Sequence, residues 1–381
     1  MRDAAADELA AVGQADFAME GVARRAFFSI GSVYSRWPDR DTLVADIAET
    51  RIVPSLVQGL DASEGTAESI EWLLGPGQEH VLRLGELLLA ARTSPLVAHP
   101  AQRAWWSVRD ALARRMSDDM AWYVATYAVG NALLGAIGVS GPNPARGRVA
   151  WFSDACHTTD FEPGRRTPVV VDVDVPTVPA PRSGDAVSAA LISAAQTLLA
   201  EHGAAGTSTR DIASGAGVTT GALYRRYEGK SGLLSDVLLE QLQPDRYAWT
   251  WELVRALASD NPYHDAAAVI AARTILVASD EKAQAVLLQI GIAARNDAAL
   301  QAQVDHRIQV AHRSRVEMAQ QFSNLHLLRP DVGPDVLTWG FQAIPVGIRA
   351  TQSAGIPLEL VDVSASFEAL LRAAAAPVEG P

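Results

Sequence analysis

The sequence predicts an all-α chain made of two similar units in tandem, and three observations carry that prediction. Apolar residues recur at three-to-four spacing in most long segments, while strand-like alternation is nearly absent. The chain also resembles itself: shifted by 190 positions without a gap, residues 1–50 meet residues 191–240 with 13 identities. Between the halves, residues 157–184 read HTTDFEPGRRTPVVVDVDVPTVPAPRSG, which is rich in Pro and Val and has no helical period.

Several of the identities are alanines, so the weight falls on Leu9 with Leu199, Gly13 with Gly203, Gly31 with Gly221, Tyr34 with Tyr224, Arg36 with Arg226 and Leu43 with Leu233. Val22 with Ile212, Val33 with Leu223, Trp37 with Tyr227 and Arg40 with Lys230 are conservative pairs at the same offset. Further on, Ala90-Ala91-Arg92 meets Ala293-Ala294-Arg295, and Trp122, Gly130 and Gly138 meet Trp339, Gly347 and Gly355. Two insertions in the second half account for the growing offset.

Individual helices follow from periodicity. Residues 186–200 (AVSAALISAAQTLLA), residues 80–92 with Val81, Leu84, Leu87 and Leu88, and residues 283–294 with Val286, Leu287, Ile290 and Ala293 each place an apolar stripe along one face. Pro142-Asn143-Pro144 and Arg329-Pro330 separate such segments. The connector is expected to be extended, with reach up to ~85 Å at ~3.1 Å per residue. A short strand at VVVDVDV is the other reading.

At 381 residues the chain is long enough for two domains with full cores. Lys and Arg number 32 against 44 Asp and Glu, a net charge of −12, which argues against indiscriminate binding to nucleic acid or to an anionic membrane. It leaves a local basic footprint open. The single cysteine, Cys156, forms no internal disulfide and suits a reducing compartment. No apolar run approaches the ~18 residues of a membrane span, and the first residues are too acidic for a secretion signal, so a soluble cytoplasmic protein is expected. The eight His are scattered without metal-ligand spacing, and there is no Gly-rich phosphate loop. Gly138-Val139-Ser140-Gly141 lacks the spacing of a nucleophile elbow. Neither an enzyme nor a cofactor is expected.

The most informative stretch is residues 208–234, STRDIASGAGVTTGALYRRYEGKSGLL. Ser208 with Asp211 three residues later is a variant capping box that starts a short helix with Ile212 and Ala213 on its inner face. Gly215 and Gly217 end it, one of them supplying the positive φ of a sharp turn. Thr219 then caps a second helix, which places Thr220, Gly221 and Ala222 in an exposed first turn. A recognition helix presents that turn to base edges in the major groove, and Thr offers a hydroxyl to a base or phosphate and a methyl to thymine. Tyr224, Arg225, Arg226, Tyr227 and Lys230 follow; Tyr224 suits a packed ring with its hydroxyl free for phosphate, whereas Leu223 and Tyr227 suit the core.

With Gly203, Thr207-Ser208, Ile212-Ala213, Ala216-Gly217-Val218, Thr219, Gly221, Leu223-Tyr224, Tyr227, and Lys230 with Leu233, this stretch resembles the amino-terminal domain of TetR-family transcriptional regulators over about 50 residues. The resemblance implies DNA contacts by Thr209, Arg210, Thr219, Thr220, Gly221, Tyr224, Arg225 and Lys230. It also implies that the remainder of each unit is a helical effector-binding and dimerisation domain. Residues 1–50 would then be a degenerate helix-turn-helix domain, 51–156 the first helical domain, 157–184 the linker, 185–242 the intact helix-turn-helix domain and 243–381 the second helical domain.

The first unit departs from the pattern. Phe17 and Ala18 replace Thr207 and Ser208, which removes a cap. Phe27 replaces Gly217, so the turn is expected to change shape. Ile30 replaces Thr220, and Glu20 replaces Arg210. Ser29, Tyr34 and Arg40 remain as candidate DNA contacts. Trp122 and Trp339, at matching places in the two helical domains, are candidate effector contacts. The expected partners are a double-stranded DNA operator and an unidentified small-molecule effector, and the expected assembly is an intramolecular pseudo-dimer or a homodimer. Repression released by an effector is the family's usual mode. The alternative is a helical interaction module that keeps this fold without binding DNA.

Overall fold

The computed structural model describes residues 1–136, 151, 153–156, 185–204, 206–241, 250–294, 297–324, 328–329, 332–334, 337–338, 343–358 and 363–375. Every regular element among them is helical, and the one β contact is an isolated bridge between Leu328 and Ala375. The expected all-α fold is observed. The linker, Gly138 and Trp339 lie outside the described residues. None of the described helices is long and apolar enough to cross a membrane, and no group of His, Cys, Asp or Glu among the described residues is placed to hold a metal ion.

The first half comprises α1 (Arg2–Asp16), α2 (Met19–Arg25), α3 (Ile30–Tyr34), α4 (Arg40–Ile47), α5 (Val53–Asp61), α6 (Thr66–Leu74), α7 (Gln78–Ala90), α8 (Pro95–Ala113) and α9 (Asp118–Ala136). A π turn at Ala48–Ile52 joins α4 to α5 without a break, so the boundary expected at residue 50 falls inside a continuous helical run. Pro54 causes a local defect there, because it has no N–H to give the Thr50 carbonyl. The Arg51 guanidinium donates to that carbonyl instead, at 2.9 Å.

The second half comprises α10 (Ala186–His202), α11 (Thr209–Gly215), α12 (Thr220–Tyr224), α13 (Lys230–Gln241), α14 (Thr250–Leu257), α15 (Pro262–Ser279), α16 (Glu281–Ala294), α17 (Ala298–Asn324), α18 (Ile344–Ser353) and α19 (Val363–Ala374). The apolar stripes expected along residues 80–92, 186–200 and 283–294 are buried at Val81, Leu84, Leu87, Leu191, Leu199, Val286 and Ile290. Cys156 is buried as well, and burial pushes its thiol up to about 12.

The halves meet along α9 and α18. A side chain on Gly130 would overlap the Ala343 carbonyl, and a side chain on Gly347 would overlap the Thr126 carbonyl. Gly130 and Gly347 are 217 residues apart, as are Thr126 and Ala343, so the two close approaches are reciprocal. Tyr123 packs edge-on to Phe367 with ring centres 5.4 Å apart. Trp151 donates to the Leu370 carbonyl at 2.7 Å, and Gln102 donates to the Ala354 carbonyl at 2.7 Å. Absent side chains let the backbones of α9 and α18 come within direct contact, which excludes water from the seam.

Candidate nucleic-acid interface

In the second half, α10 to α13 build a compact helical unit around buried Leu191, Leu199, Ile212, Leu223, Leu233 and Val237. The α10 helix ends at Gly203, whose φ of 71° lets the chain reverse. The α11 helix begins with the expected capping box: Ser208 Oγ accepts from the Asp211 N–H at 3.2 Å, and the Asp211 carboxylate accepts from the Ser208 N–H at 3.1 Å. The Ser208 hydroxyl also donates to that carboxylate at 2.6 Å, and this bond first, with the Ser208 N–H second, holds the Asp211 carboxyl below its usual range. Gly217 takes the left-handed turn at φ 67°. Thr219 Oγ1 then accepts from the Ala222 N–H at 3.2 Å and starts α12.

This frame sorts the expected contacts. Arg210, Thr219, Gly221, Tyr224 and Arg225 are exposed, and Thr209 and Thr220 are half-buried on the same side. Leu223 and Tyr227 lie in the core as expected. Ala222 also turns inward and is buried, which corrects its placement in an exposed first turn. The short α12 points every third to fourth side chain at the core, and Ala222 and Leu223 share that side. Tyr224 departs from expectation too. The residue is 57% exposed, and its hydroxyl lies 3.2 Å from Thr209 Oγ1, so it links α11 to α12 across the outer face. Arg226 is held by Asp185, the cap of α10, and that hydrogen bond is the main cause of the Asp185 carboxyl falling to about 2.

Lys230 is the largest departure. Its ammonium donates to the Ala204 carbonyl, and burial lowers its pKa. In this conformation the half-buried ammonium acts as an inward strut. Arg40 behaves alike in the first unit: its guanidinium donates to the Gln14 carbonyl, and burial lowers its pKa. The amide at each of these positions is also held. Glu86 accepts from the Gln14 N–H at 2.7 Å, and Gln289 accepts from the Ala204 N–H at 2.8 Å. The link after the first helix is thus clamped through its N–H by the helical domain and through its C=O by α4 or α13. Sequence reasoning passed over Glu86 and Gln289. The match of residues 90–92 with 293–295 contained the signal, since the same offset pairs these two acceptors.

Residues 13–46 show local geometry comparable to that of residues 203–236 at several points. Gly13 has φ 76° and ψ 167°, against 71° and 174° at Gly203. Ser29 Oγ accepts from the Ser32 N–H at 3.2 Å and caps α3, as Thr219 caps α12. Trp37 donates to Asp46 at 2.9 Å. Ala18 makes no side-chain cap, in line with expectation. The turn at Phe27 does not change shape. Phe27 keeps a left-handed φ of 57°, and the Phe28 N–H reaches the Ala23 carbonyl at 3.0 Å, as Val218 reaches Ala213 at 2.9 Å. A left-handed non-glycine residue costs ~1–2 kcal/mol. The flanking helices hold the turn against that cost, and the Phe27 ring stands in solvent where nothing obstructs it. Tyr34 is exposed, and Arg36 lines a cavity of ≈ 460 Å³ with Arg2, Trp37 and Arg51.

Trp122, expected at an effector pocket, is buried edge-on to Trp105 with ring centres 6.3 Å apart. The indole N–H groups of both residues and the Thr126 hydroxyl are buried without a hydrogen-bond partner. Trp122 thus packs against α8 in the core of the helices that follow residue 50.

Residues 191–237 match the family of bacterial regulatory proteins, tetR family. None of the curated proteins matches the chain. Among solved structures, NalD, the secondary repressor of the MexAB-OprM multidrug efflux pump in Pseudomonas aeruginosa, is 24% identical with a TM-score of 0.37, covering 49% of this chain and 94% of its own. The ketosteroid transcriptional regulator KstR2 of Mycobacterium tuberculosis is 20% identical with a TM-score of 0.32, covering 48% of this chain and 95% of its own. Residues 191–237, which hold the two capped short helices and the turn at Gly217, are thus what the chain shares with the tetR regulatory family, and the regular elements described around them are helical.

Proposed function

We propose that the chain is a DNA-binding transcriptional regulator in which two tandem TetR-like units, the first degenerate, pair within one molecule. The second unit is the main reader. Thr209, Arg210, Thr220, Gly221, Tyr224 and Arg225 meet the duplex, with Arg210 and Arg225 on phosphates and Thr220 on a base edge. Lys230 and Arg40 serve chiefly to hold the readers to their helical domains. The remaining candidates of the first unit, Ser29 and Tyr34, lie on the equivalent face.

The reciprocal close approach of Gly130 to Ala343 and of Gly347 to Thr126 is the observation that carries the pairing. In a two-fold interface residue i meets j while j meets i, and this seam has that property although both sides belong to one chain. Such an arrangement holds two readers at a fixed separation, and helix-turn-helix pairs span half-sites ~34–36 Å apart or a multiple of that. A small-molecule effector would act by favouring a packing of the helical domains in which that separation no longer fits the groove. Glu86 and Gln289 are the residues through which such a change reaches the readers, because they join each helical domain to its reader.

A salt-dependent mobility shift with DNA flanking the chain's own gene tests the reading. Binding that weakens with salt and with Thr220→Ala supports it. Indifference to Thr220→Ala, Arg210→Ala and Tyr224→Phe together removes the proposed reader. Absence of any DNA binding would favour the second reading, an interaction module that has kept the fold. The net charge of −12 is the observation on that side.

A further inference from the structure

Residues 27–34 expose large apolar side chains where the matching residues 217–224 carry smaller ones, with one hydroxyl, Thr220, in place of Ile30. Phe27 is 97% exposed, Phe28 52%, Tyr34 47% and Ile30 38%. At the same places in the second unit stand Gly217, Val218, Tyr224 and Thr220. Phe27 sits at a positive φ that glycine would take without strain, and its ring packs on nothing in the chain. A strained, wholly exposed aromatic residue on an otherwise preserved frame points to an external partner.

Two properties of the face decide which partner. The four side chains offer about 450 Å² of exposed surface, well short of the ~800 Å² per partner of a stable protein interface. A second copy docking here would need a larger surface than the patch provides. Arg24, three residues before Phe27, and Arg36, two residues after Tyr34, are exposed cations close by in sequence. Glu20 stands where Arg210 stands in the second unit, so a phosphate is disfavoured at the start of α2. An apolar face rimmed by arginines, on a helix-turn-helix frame, matches a groove lined by thymine methyls between phosphate rails.

We propose that the first unit reads a thymine-rich half-site through apolar contacts. Phe27, Phe28 and Ile30 pack on C5-methyl groups in the major groove, while Tyr34, Arg24 and Arg36 approach phosphates. The operator then consists of two unlike half-sites, one read by hydrogen bonds and one by methyl contacts. This inference rests on DNA reading by the second unit.

The test uses the full chain and the duplex that it selects from a random-sequence pool. Thr220→Ala identifies the half-site of the second unit as the one where specificity relaxes. Replacing thymine by deoxyuridine, which removes only the C5-methyl group, in the other half-site should weaken binding about fivefold or more. Phe27→Gly with Ile30→Thr should weaken binding about tenfold and abolish the response to deoxyuridine. Phe27→Gly alone should melt at or above the wild-type temperature, which separates lost contact from lost fold. If deoxyuridine has no effect, or the double variant binds like wild type while Thr220→Ala does not, the inference is overturned and the second-unit reading stands. If the double variant keeps DNA affinity but turns a dimer into a monomer in sedimentation, the face joins two chains and the inference is overturned. If no duplex is selected, both readings fall.

Discussion

The turn between α2 and α3 passes through Phe27 at φ 57°, and the turn between α11 and α12 passes through Gly217 at φ 67°. Both are followed by a hydroxyl cap, Ser29 or Thr219, and both are preceded by a clamped link at Gln14 or Ala204. The turn and cap geometry is alike at the two places, yet phenylalanine and isoleucine stand at Phe27 and Ile30 where glycine and threonine stand at Gly217 and Thr220. The buried positions and the hydrogen-bonded links, rather than the outer face, specify this frame. A unit can therefore exchange what it presents without losing its shape.

The largest expected effect breaks the comparison at the seam that joins the units. Gly347→Leu forces a side chain onto the Thr126 carbonyl, with an expected loss of about 3 kcal/mol or more, read as a lowered urea midpoint, and loss of DNA binding with it. Gly31→Leu, at a glycine with open space around it, should be far milder.

Next come the readers. Thr220→Ala should cost about 1–3 kcal/mol of discrimination at one base position, and Tyr224→Phe should weaken binding to all sequences; anisotropy titrations over single-base variants distinguish the two. Tyr34→Phe should have a smaller effect than Tyr224→Phe. Equal effects would remove the ranking of the two units.

The clamps sharpen the comparison further. Gln289→Leu leaves the Ala204 N–H without its acceptor, at about 1–3 kcal/mol, measurable as faster hydrogen exchange in α10 to α13. Lys230→Met should lower stability while leaving the slope of log affinity against log salt unchanged. Arg210→Ala should reduce that slope by about 1. A reduced slope for Lys230→Met would return its ammonium to a phosphate.

Smaller effects concern the caps. Ala18→Ser should restore the missing cap of α2 and add about 1 kcal/mol, read in thermal melts. Asp185 has a carboxyl lowered to about 2, first by its hydrogen bond to Arg226, so its contribution is present above the unfolded carboxylate value of ~3.9 and is lost as pH falls toward about 2. Asp185→Asn should thus destabilise the second unit near neutral pH and make no difference at the acid end of that window.

Much of the frame was legible in the sequence because its signals are local. Ser208 with Asp211, Gly217 and Thr219 announce caps and a turn within 12 residues, and the 190-residue offset carries the same frame to residues 1–50. The illegible parts depend on contacts distant in sequence. Glu86 meets Gln14 across 72 residues, and Gln289 meets Ala204 across 85. Lys230 and Arg40 look like phosphate ligands until their backbone acceptors are seen. Phe27 obeys its neighbours over its own backbone preference, since the bonds from Phe28 to Ala23 and from Ala26 to Val22 close the turn around it. The burial of Trp122 against Trp105 was likewise not legible, because a large aromatic residue suits a core and a binding site equally well.

The central claim is that one chain supplies both readers. Native mass spectrometry of the protein on its selected duplex, read beside a hydroxyl-radical footprint, measures chains per operator and the symmetry of protection together. The account predicts one chain per duplex, with two protected segments of unlike sequence separated by about one helical turn or a multiple. Two chains per duplex over a symmetric palindrome would contradict it.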